Sequence, residues 1–201
     1  MHNDGAFSTR VEAAVRQIEA STDAEVVVVA APHSGTYRDV VFAAASVFAF
    51  GAMNLAFFLP FSFHPVALSI ELAATWAIGA WLFSGPRVLR QLVSPARRSR
   101  QVREAAFAEF HREAVHATPR RIGVLVYVSA LEQAVLVLPD VGLEALLPGG
   151  RWAEAHARFD ARTVDGILAG LAAIGSLLAE TLPPTHEGPG LELADAPRIR
   201  T

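Results

Sequence analysis

The acid best placed for chemistry in this sequence is Asp140, which follows a strongly apolar run and precedes a short helical pattern. In α/β folds, ligand sites form where strands end, so this carboxylate could hold Ca²⁺ or Mg²⁺ with water and loop carbonyls. It could equally cap the helix entered through Gly142, and this capping role is the interpretation we favour. Asp140 is therefore the candidate metal ligand, and we assign no residue to catalysis.

A second candidate is Glu71, a carboxylate within a long apolar run, with Asn54 in the preceding apolar run. If the two runs form antiparallel helices, both side chains lie at a similar depth along them. The interpretation we favour is structural, in which Glu71 hydrogen-bonds Asn54 and locks the helices together. The alternative is a carboxylate that handles protons or ions, for which one acid in two helices makes a poor path.

Two further patterns are weaker. Glu113 and His116 have the i,i+3 spacing of di-iron helix bundles, but such a site needs more carboxylates on facing helices, so a solvated helix face is favoured. Arg120 and Arg121 precede an apolar run and could recognise phosphate, although pairing with acids of the same domain is favoured.

Composition removes several enzyme classes. All 17 basic residues are Arg and there is no Cys, which excludes Schiff-base lysines, P-loop lysines and cysteine nucleophiles. The sequence contains no nucleophile elbow, no Gly-rich dinucleotide loop and no His-Glu-x-x-His. A net charge of −3 argues against a general nucleic-acid-binding protein.

The distribution of apolar residues predicts a membrane protein. Hydrophobic residues make up 52% of the 201 residues and charged residues only 18%, and the excess lies in two runs, 40–59 and 66–83. A helix of about twenty residues is about 30 Å long, which matches the hydrocarbon core of a bilayer. Two such runs joined by a short turn predict a transmembrane hairpin over 39–84, in preference to buried core helices or a signal peptide.

The placement of arginine predicts the orientation of that hairpin. Its loop contains no Arg, whereas Arg38 precedes the first run. Six arginines follow the second run: Arg87, Arg90, Arg97, Arg98, Arg100 and Arg103. By the positive-inside rule both termini are cytoplasmic, so we expect an integral protein of a bacterial inner membrane.

The residues around the hairpin predict an α/β domain in two parts, 8–38 and 85–182. A capping box at residues 9–12 predicts the start of the first helix. Apolar runs predict strands over 25–31, 122–129 and 133–138, the last two antiparallel. The final helix, 161–182, has core spacing and is read as a packed helix, and the tail 183–201 is predicted to be disordered. We expect a small α/β/α domain with a mixed sheet of three to four strands.

Residues 18–29, 120–129 and 137–143, together with Trp152, resemble the TPM-domain family. The arrangement is similar to bacterial membrane proteins in which that domain is interrupted by a transmembrane hairpin, and the resemblance covers about 8–182. It implies an α/β/α sandwich, protein maintenance near membranes, divalent-cation binding in some members and reported acid phosphatase activity in plant relatives. Only Asp140 can be carried over, as an acid of a metal or phosphate site.

These expectations combine into one hypothesis and one alternative. The hypothesis is a membrane-anchored TPM-like module in the lipid bilayer, non-enzymatic, that binds or maintains membrane-protein partners. It depends on a well-formed core without a catalytic constellation. The alternative is a metal-dependent, phosphatase-like hydrolase centred on Asp140.

Overall fold

The computed structural model describes residues 4–58, 64–118, 120–147, 149–185 and 196–200. The chain forms two compact units. The first contains residues 1–34 and 99–201, and we call it the globular unit. The second, Gly35–Arg98, we call the hairpin unit. It extends beyond the predicted hairpin on both sides.

The helices and strands follow one another in this order. Helix α1 (Asp4–Glu19) leads to β1 (Glu25–Ala31), and α2 (Arg38–Ala56), α3 (Pro65–Phe83) and α4 (Pro86–Leu92) precede α5 (Pro95–Arg112). A 3-10 turn, Val115–Ala117, precedes β2 (Gly123–Ser129) and β3 (Ala134–Pro139). The chain then forms α6 (Val141–Leu146), α7 (Gly149–His156), α8 (Val164–Thr181) and β4 (Arg198–Ile199).

The described strands form one mixed sheet in the order β3-β2-β1-β4. Strand β1 is parallel to β2 and to β4, and β3 is antiparallel to β2. The two central strands are rich in β-branched residues and are buried on both faces, as expected for parallel strands covered by helices. The predicted mixed sheet of an α/β domain is therefore confirmed, together with the antiparallel pairing of its second and third strands.

Helices cover both faces of this sheet. Val26 and Val28 of β1 belong to a core that includes Val11 of α1 and Leu171 of α8. The alternate residues, such as Val29, belong to a second core with residues of α5. Because successive side chains of a strand point to opposite faces, one seven-residue run supplies both cores.

The hairpin unit is held by small residues at the contact of α2 with α3. Ala45 and Ala49 are buried on α2, one turn apart. A Cβ added to Gly79 of α3 would lie 3.2 Å from the Ala45 Cα and 3.0 Å from the Phe48 ring. Small residues allow two helix backbones to approach closely, which is the packing typical of helices in membranes.

Three helices of the described residues are long and apolar enough to cross a membrane, judged by length and composition alone: Arg38–Ala56, Val66–Phe83 and Val164–Thr181. They differ in burial, since 17% and 6% of the first two spans are buried but 39% of the third. Helix α8 contributes Ile167, Leu171 and Ile174 to the globular core. It is a packed helix, in agreement with the prediction from its spacing.

Two local predictions were wrong. Helix α1 begins at Asp4, and the Thr9 hydroxyl donates to the Gly5 carbonyl oxygen at 2.9 Å inside the helix, so it caps nothing. The predicted disorder of 183–201 is corrected by β4, since Arg198 and Ile199 pair with Val29 and Ala30 of β1. The partners of this tail are remote in sequence, which local composition does not reveal. Residues 186–195 of the predicted tail lie outside the described residues.

Candidate functional site

Asp140 lies at the end of β3 and is the N-cap residue of α6. Its Oδ1 accepts from the backbone N–H of Val141 at 2.8 Å, and its carbonyl oxygen accepts from Leu143 and Glu144. The residue is 2% exposed. The structure thus shows the capping role that the sequence left as one of two possibilities.

Arg121 occupies the space around both carboxylate oxygens of Asp140. Its Nε donates to Oδ2 at 2.6 Å, and its Nη2 donates to Oδ1 at 2.8 Å. This guanidinium lowers the pKa of Asp140 below its ordinary value, mainly through the side-chain hydrogen bond. The second arginine of the pair, Arg120, donates to Asp23 at 2.6 Å. Both arginines therefore pair with acids of their own domain, as favoured from the sequence.

This arrangement does not fit a divalent cation. Ca²⁺ and Mg²⁺ require several oxygen ligands, whereas the oxygens of Asp140 already accept from a guanidinium and a backbone N–H. In the ranges that the structure describes, no three His, Asp or Glu side chains gather as a metal-ligand group. A cation at Asp140 would first have to displace Arg121.

The start of α6 also requires glycine at position 142. A Cβ added there would lie 2.6 Å from the carbonyl oxygen of Arg121 and 2.7 Å from that of Arg120. Arg121 itself has a φ of 56°, in the left-handed region. The tight turn before β2 therefore lies directly against the first turn of α6, which places Arg121 beside Asp140.

A partly buried polar cluster, here called the Ser34 cluster, lies where the parallel strands β1 and β2 end. It consists of Ser34, Tyr127, Ser129 and Glu132. The Ser34 N–H donates to the two Glu132 oxygens at 3.0 and 3.2 Å, and its hydroxyl donates to Ser129 at 2.8 Å. The Tyr127 hydroxyl lies 3.1 Å from the Ser34 hydroxyl, and burial raises the pKa of Tyr127.

The Ser34 cluster was not predicted. Glu132 lies between the two predicted antiparallel strands, yet it is 5% exposed and also accepts from the Ser129 hydroxyl. The available signal was Ser129, a polar residue at the end of an otherwise apolar strand and three positions before an acid. Ser34 is the last residue of the globular unit before the hairpin unit, so the cluster fixes the chain where it leaves the sheet.

The carboxyl end of the chain is held by a second set of ion pairs. Arg200 donates to Glu109 of α5 at 2.6 Å and also contacts Glu113, and Arg198 donates to Glu113 at 3.0 Å. Helix α5 ends at Arg112, so Glu113 does not share a helix face with His116. The predicted solvated face is therefore wrong for Glu113, and the signal missed was the alternation of Arg198 and Arg200 around Ile199, which is typical of a strand.

The polar residues of the hairpin unit do not pair as predicted. The Asn54 side-chain amide donates to the Phe50 carbonyl oxygen of its own helix at 2.8 Å, and no hydrogen bond joins it to Glu71. A hydrogen bond between α2 and α3 is formed instead by the Trp76 indole N–H, which donates to the Ser46 hydroxyl at 3.1 Å. Spacing along the sequence predicts the depth of Asn54 and Glu71 along their helices, but pairing also depends on the rotation of each helix about its axis.

A cleft of about 680 Å³ lies beside β3, between that strand and helices α6 and α7. Its walls include Val137, Leu146, Leu147, Trp152 and His156. The Trp152 indole N–H is buried and has no hydrogen-bond partner among the described residues. The cleft therefore combines mostly apolar walls with the polar side chains of Glu144 and His156, which is the composition of many binding sites.

The backbone of β3 beside this cleft is available for pairing. Strand β3 is at the edge of the sheet. Because the Asp140 N–H donates to the Gly123 carbonyl oxygen, the alternation of an antiparallel ladder turns the backbone groups of Val135 and Val137 away from β2. The Val135 carbonyl oxygen meets the His156 ring at 2.9 Å, which leaves Val137 as the open part of the edge.

Comparison with known proteins shows similarity in fold. No protein-family model matches the sequence, and no curated protein matches it. The structure is similar to the NMR structure of the BA42 protein from the psychrophilic bacterium Bizionia argentinensis, with a TM-score of 0.60 and 14% sequence identity. The match covers 100% of this chain and 97% of that chain. At this identity, the similarity shows a common α/β fold and nothing further.

Proposed function

We propose that the protein is a membrane-anchored, TPM-like module of a bacterial inner membrane that binds a membrane-protein partner without catalysing a reaction. Its hairpin unit is the anchor and its globular unit, with both chain termini, lies in the cytoplasm. The observation that supports this proposal most directly is the apolar surface of α2 and α3.

The exposure of this apolar surface to water would be unfavourable. Large apolar side chains are exposed along both helices, and Trp81, Val47 and Leu55 are 78%, 73% and 66% exposed. Large exposed apolar patches are rare on soluble proteins and mark contact with membranes or other proteins. Helix α8 has similar hydropathy but buries its apolar face in the globular core. The greater exposure of the apolar side chains of α2 and α3 is therefore not a consequence of hydropathy alone.

A substitution in the middle of α2 tests the anchor. A charged residue at the centre of a transmembrane helix costs about 2.5–3.5 kcal/mol on insertion scales. We expect Val47→Arg to increase the fraction of the full chain released from membranes by alkaline carbonate. The matched control is Val141→Arg, because Val141 is 59% exposed but lies on α6 of the globular unit. Equal release of the two variants would contradict the anchor.

The absence of natural cysteine allows a direct test of orientation. His64 lies just before α3, and Glu154 is exposed on α7 of the globular unit. In intact spheroplasts, a membrane-impermeant maleimide should label His64→Cys, whereas Glu154→Cys should react only after permeabilisation. The reverse pattern would place the globular unit outside the cytoplasm.

The cleft beside β3 supports the binding role. An extended segment of a partner could pair with the open backbone at Val137 and place an apolar side chain against Leu146 and Trp152. The hydrolase hypothesis depends on Asp140, whose oxygens are engaged by Arg121 and Val141, so its geometry favours binding over metal-dependent hydrolysis.

Site-specific photocrosslinking tests the cleft. A photoreactive residue at Leu146, which lines the cleft and is 51% exposed, should give a discrete crosslink to a membrane protein. The control position is Phe107 of α5, which is 49% exposed on the helix that covers the opposite face of the sheet. The same products at both positions, or none at Leu146, would contradict a partner site in the cleft.

A further inference from the structure

Arginine side chains without acidic partners gather at one end of the hairpin unit. Helices α2 and α3 are antiparallel neighbours, so the start of α2 and the end of α3 lie at the same end of the unit. Helix α4 follows α3 directly, and the start of α5 belongs to the same unit. Four of the five arginines in these segments have no acidic partner among the described residues, and we call them the basic rim: Arg38, Arg87, Arg90 and Arg98.

The acid at this end is already neutralised. Asp39 accepts two hydrogen bonds from Arg97, at 2.7 and 2.9 Å, and the same guanidinium lies 5.5 Å from the centre of the Tyr37 ring. The other acid of the hairpin unit, Glu71, is twelve residues before the end of α3, or about 18 Å along the helix. In the described part of the chain, no acidic side chain contacts an arginine of the basic rim.

Most arginines of the globular unit contact an acid. Arg120, Arg121, Arg198 and Arg200 each contact an acid of the same unit. Among the described residues, Arg103, Arg158 and Arg162 of that unit form no ion pair, but they are a minority there, whereas only Arg97 is paired in the hairpin unit. Positive charge is concentrated at the end of the hairpin where the apolar helices finish.

Helix α4 places charged and apolar side chains side by side at this end. Arg87 is exposed, Leu92 is 43% exposed, and Val88 and Leu89 between them are half-buried. A surface that carries exposed arginine beside exposed leucine suits the boundary between acyl chains and headgroups. A soluble anion or an acidic protein would leave the apolar part of this surface without a partner.

On this basis we propose that the basic rim binds the phosphate headgroups of anionic phospholipids, an interaction that rests on the membrane anchor proposed above. Guanidinium groups bind phosphate oxygens in a bidentate manner. Anionic lipids attract basic residues beside a membrane helix by an amount that corresponds to about fivefold in affinity for each arginine. Replacing two arginines should therefore weaken the preference for anionic lipid by about 30-fold.

Native mass spectrometry of the full chain measures this preference. The protein in neutral detergent is titrated with dioleoylphosphatidylglycerol or dioleoylphosphatidylcholine, and the lipid-bound fractions are compared. Wild type should bind phosphatidylglycerol more tightly, and Arg87→Gln with Arg90→Gln should lose most of that preference. The control, Arg158→Gln with Arg162→Gln, removes the same charge from exposed positions of the globular unit and should keep it.

Each other outcome overturns the proposal. Equal affinity of wild type for the two lipids would show that the rim does not select anionic headgroups. If the control variant also lost its preference for phosphatidylglycerol, the preference would depend on the net charge of the protein and not on the basic rim. Competition by glycerol 1-phosphate as strong as that by the lipid would identify a small-anion site. Carbonate extraction of the same variants separates the hypotheses, because release of the wild type would refute the anchor itself, whereas retention without lipid selectivity refutes only the rim.

Discussion

Replacing Asp140 with asparagine should destabilise the folded protein at neutral pH, although the two side chains have almost the same shape. Asparagine caps a helix about as well as aspartate, so the substitution isolates the ion pair with Arg121. A hydrogen bond to a charged group is worth about 1.5–3 kcal/mol. Because the Arg121 side chain is 49% exposed, solvent screens part of that energy. We expect Asp140→Asn to lower the free energy of unfolding by about 1–2 kcal/mol, and Asp140→Ala by about 1 kcal/mol more, since it also removes the cap.

The effect should depend on pH with a definite sign. Arg121 holds the pKa of Asp140 below its ordinary value in the folded state, so the unfolded chain binds this proton more readily. The stabilisation is therefore complete above the unfolded pKa of about 3.9 and is lost as the pH falls through the lower folded pKa. Asparagine does not titrate, so the difference between wild type and Asp140→Asn should disappear at the acid end of this range.

Urea unfolding of the full chain in detergent micelles, followed by far-UV circular dichroism, measures these differences. Equal stability of wild type and Asp140→Asn at neutral pH would refute the ion-pair argument, and so would a difference that persists unchanged to about pH 2. Addition of Ca²⁺ or Mg²⁺ provides a separate check. If either ion stabilised wild type but not Asp140→Asn, the carboxylate would be a cation ligand after all.

Three further predictions concern close packing at a glycine, an ion pair and a hydrogen bond between helices. Gly142→Ala should destabilise the protein by at least about 2 kcal/mol in urea unfolding, because its Cβ would meet backbone oxygens, whereas Gly150→Ala, with no atom within 4 Å of its Cβ, should be tolerated. Arg200→Gln should accelerate hydrogen exchange over residues 196–200 by about tenfold or more, because a charge-assisted bond to the buried Glu109 is lost. Unchanged exchange would contradict the stabilisation of the carboxyl end by this ion pair. Trp76→Phe should weaken the hairpin by about 0.6–1 kcal/mol in SDS titration, while Glu71→Gln should leave it unchanged; the opposite ranking would restore the predicted polar pair.

The elements that depend on local pattern were predicted well. The run 25–31 is β1 to the residue, the predicted second strand begins one residue before β2, and the predicted third strand begins and ends one residue before β3. Asp140 was singled out because a strand end and a helix start meet there, and both of its possible roles were visible in the sequence. The choice between them required the position of Arg121, nineteen residues earlier, whose left-handed backbone and close approach to Gly142 are properties of the folded turn.

What the sequence by itself determined is the distribution of apolar and charged residues: two long apolar runs, a buried β-branched strand, and arginines placed on one side of the hairpin. These are properties of neighbouring residues, and the periods of helix and strand convert them directly into structure. Only the tertiary structure decided which polar groups meet. Ser34 hydrogen-bonds Glu132, about a hundred residues away, and Arg200 pairs with Glu109. Trp76 hydrogen-bonds Ser46 in place of the expected Asn54–Glu71 bond. Such pairs depend on the register of the sheet and the rotation of each helix, which arise from packing the whole chain.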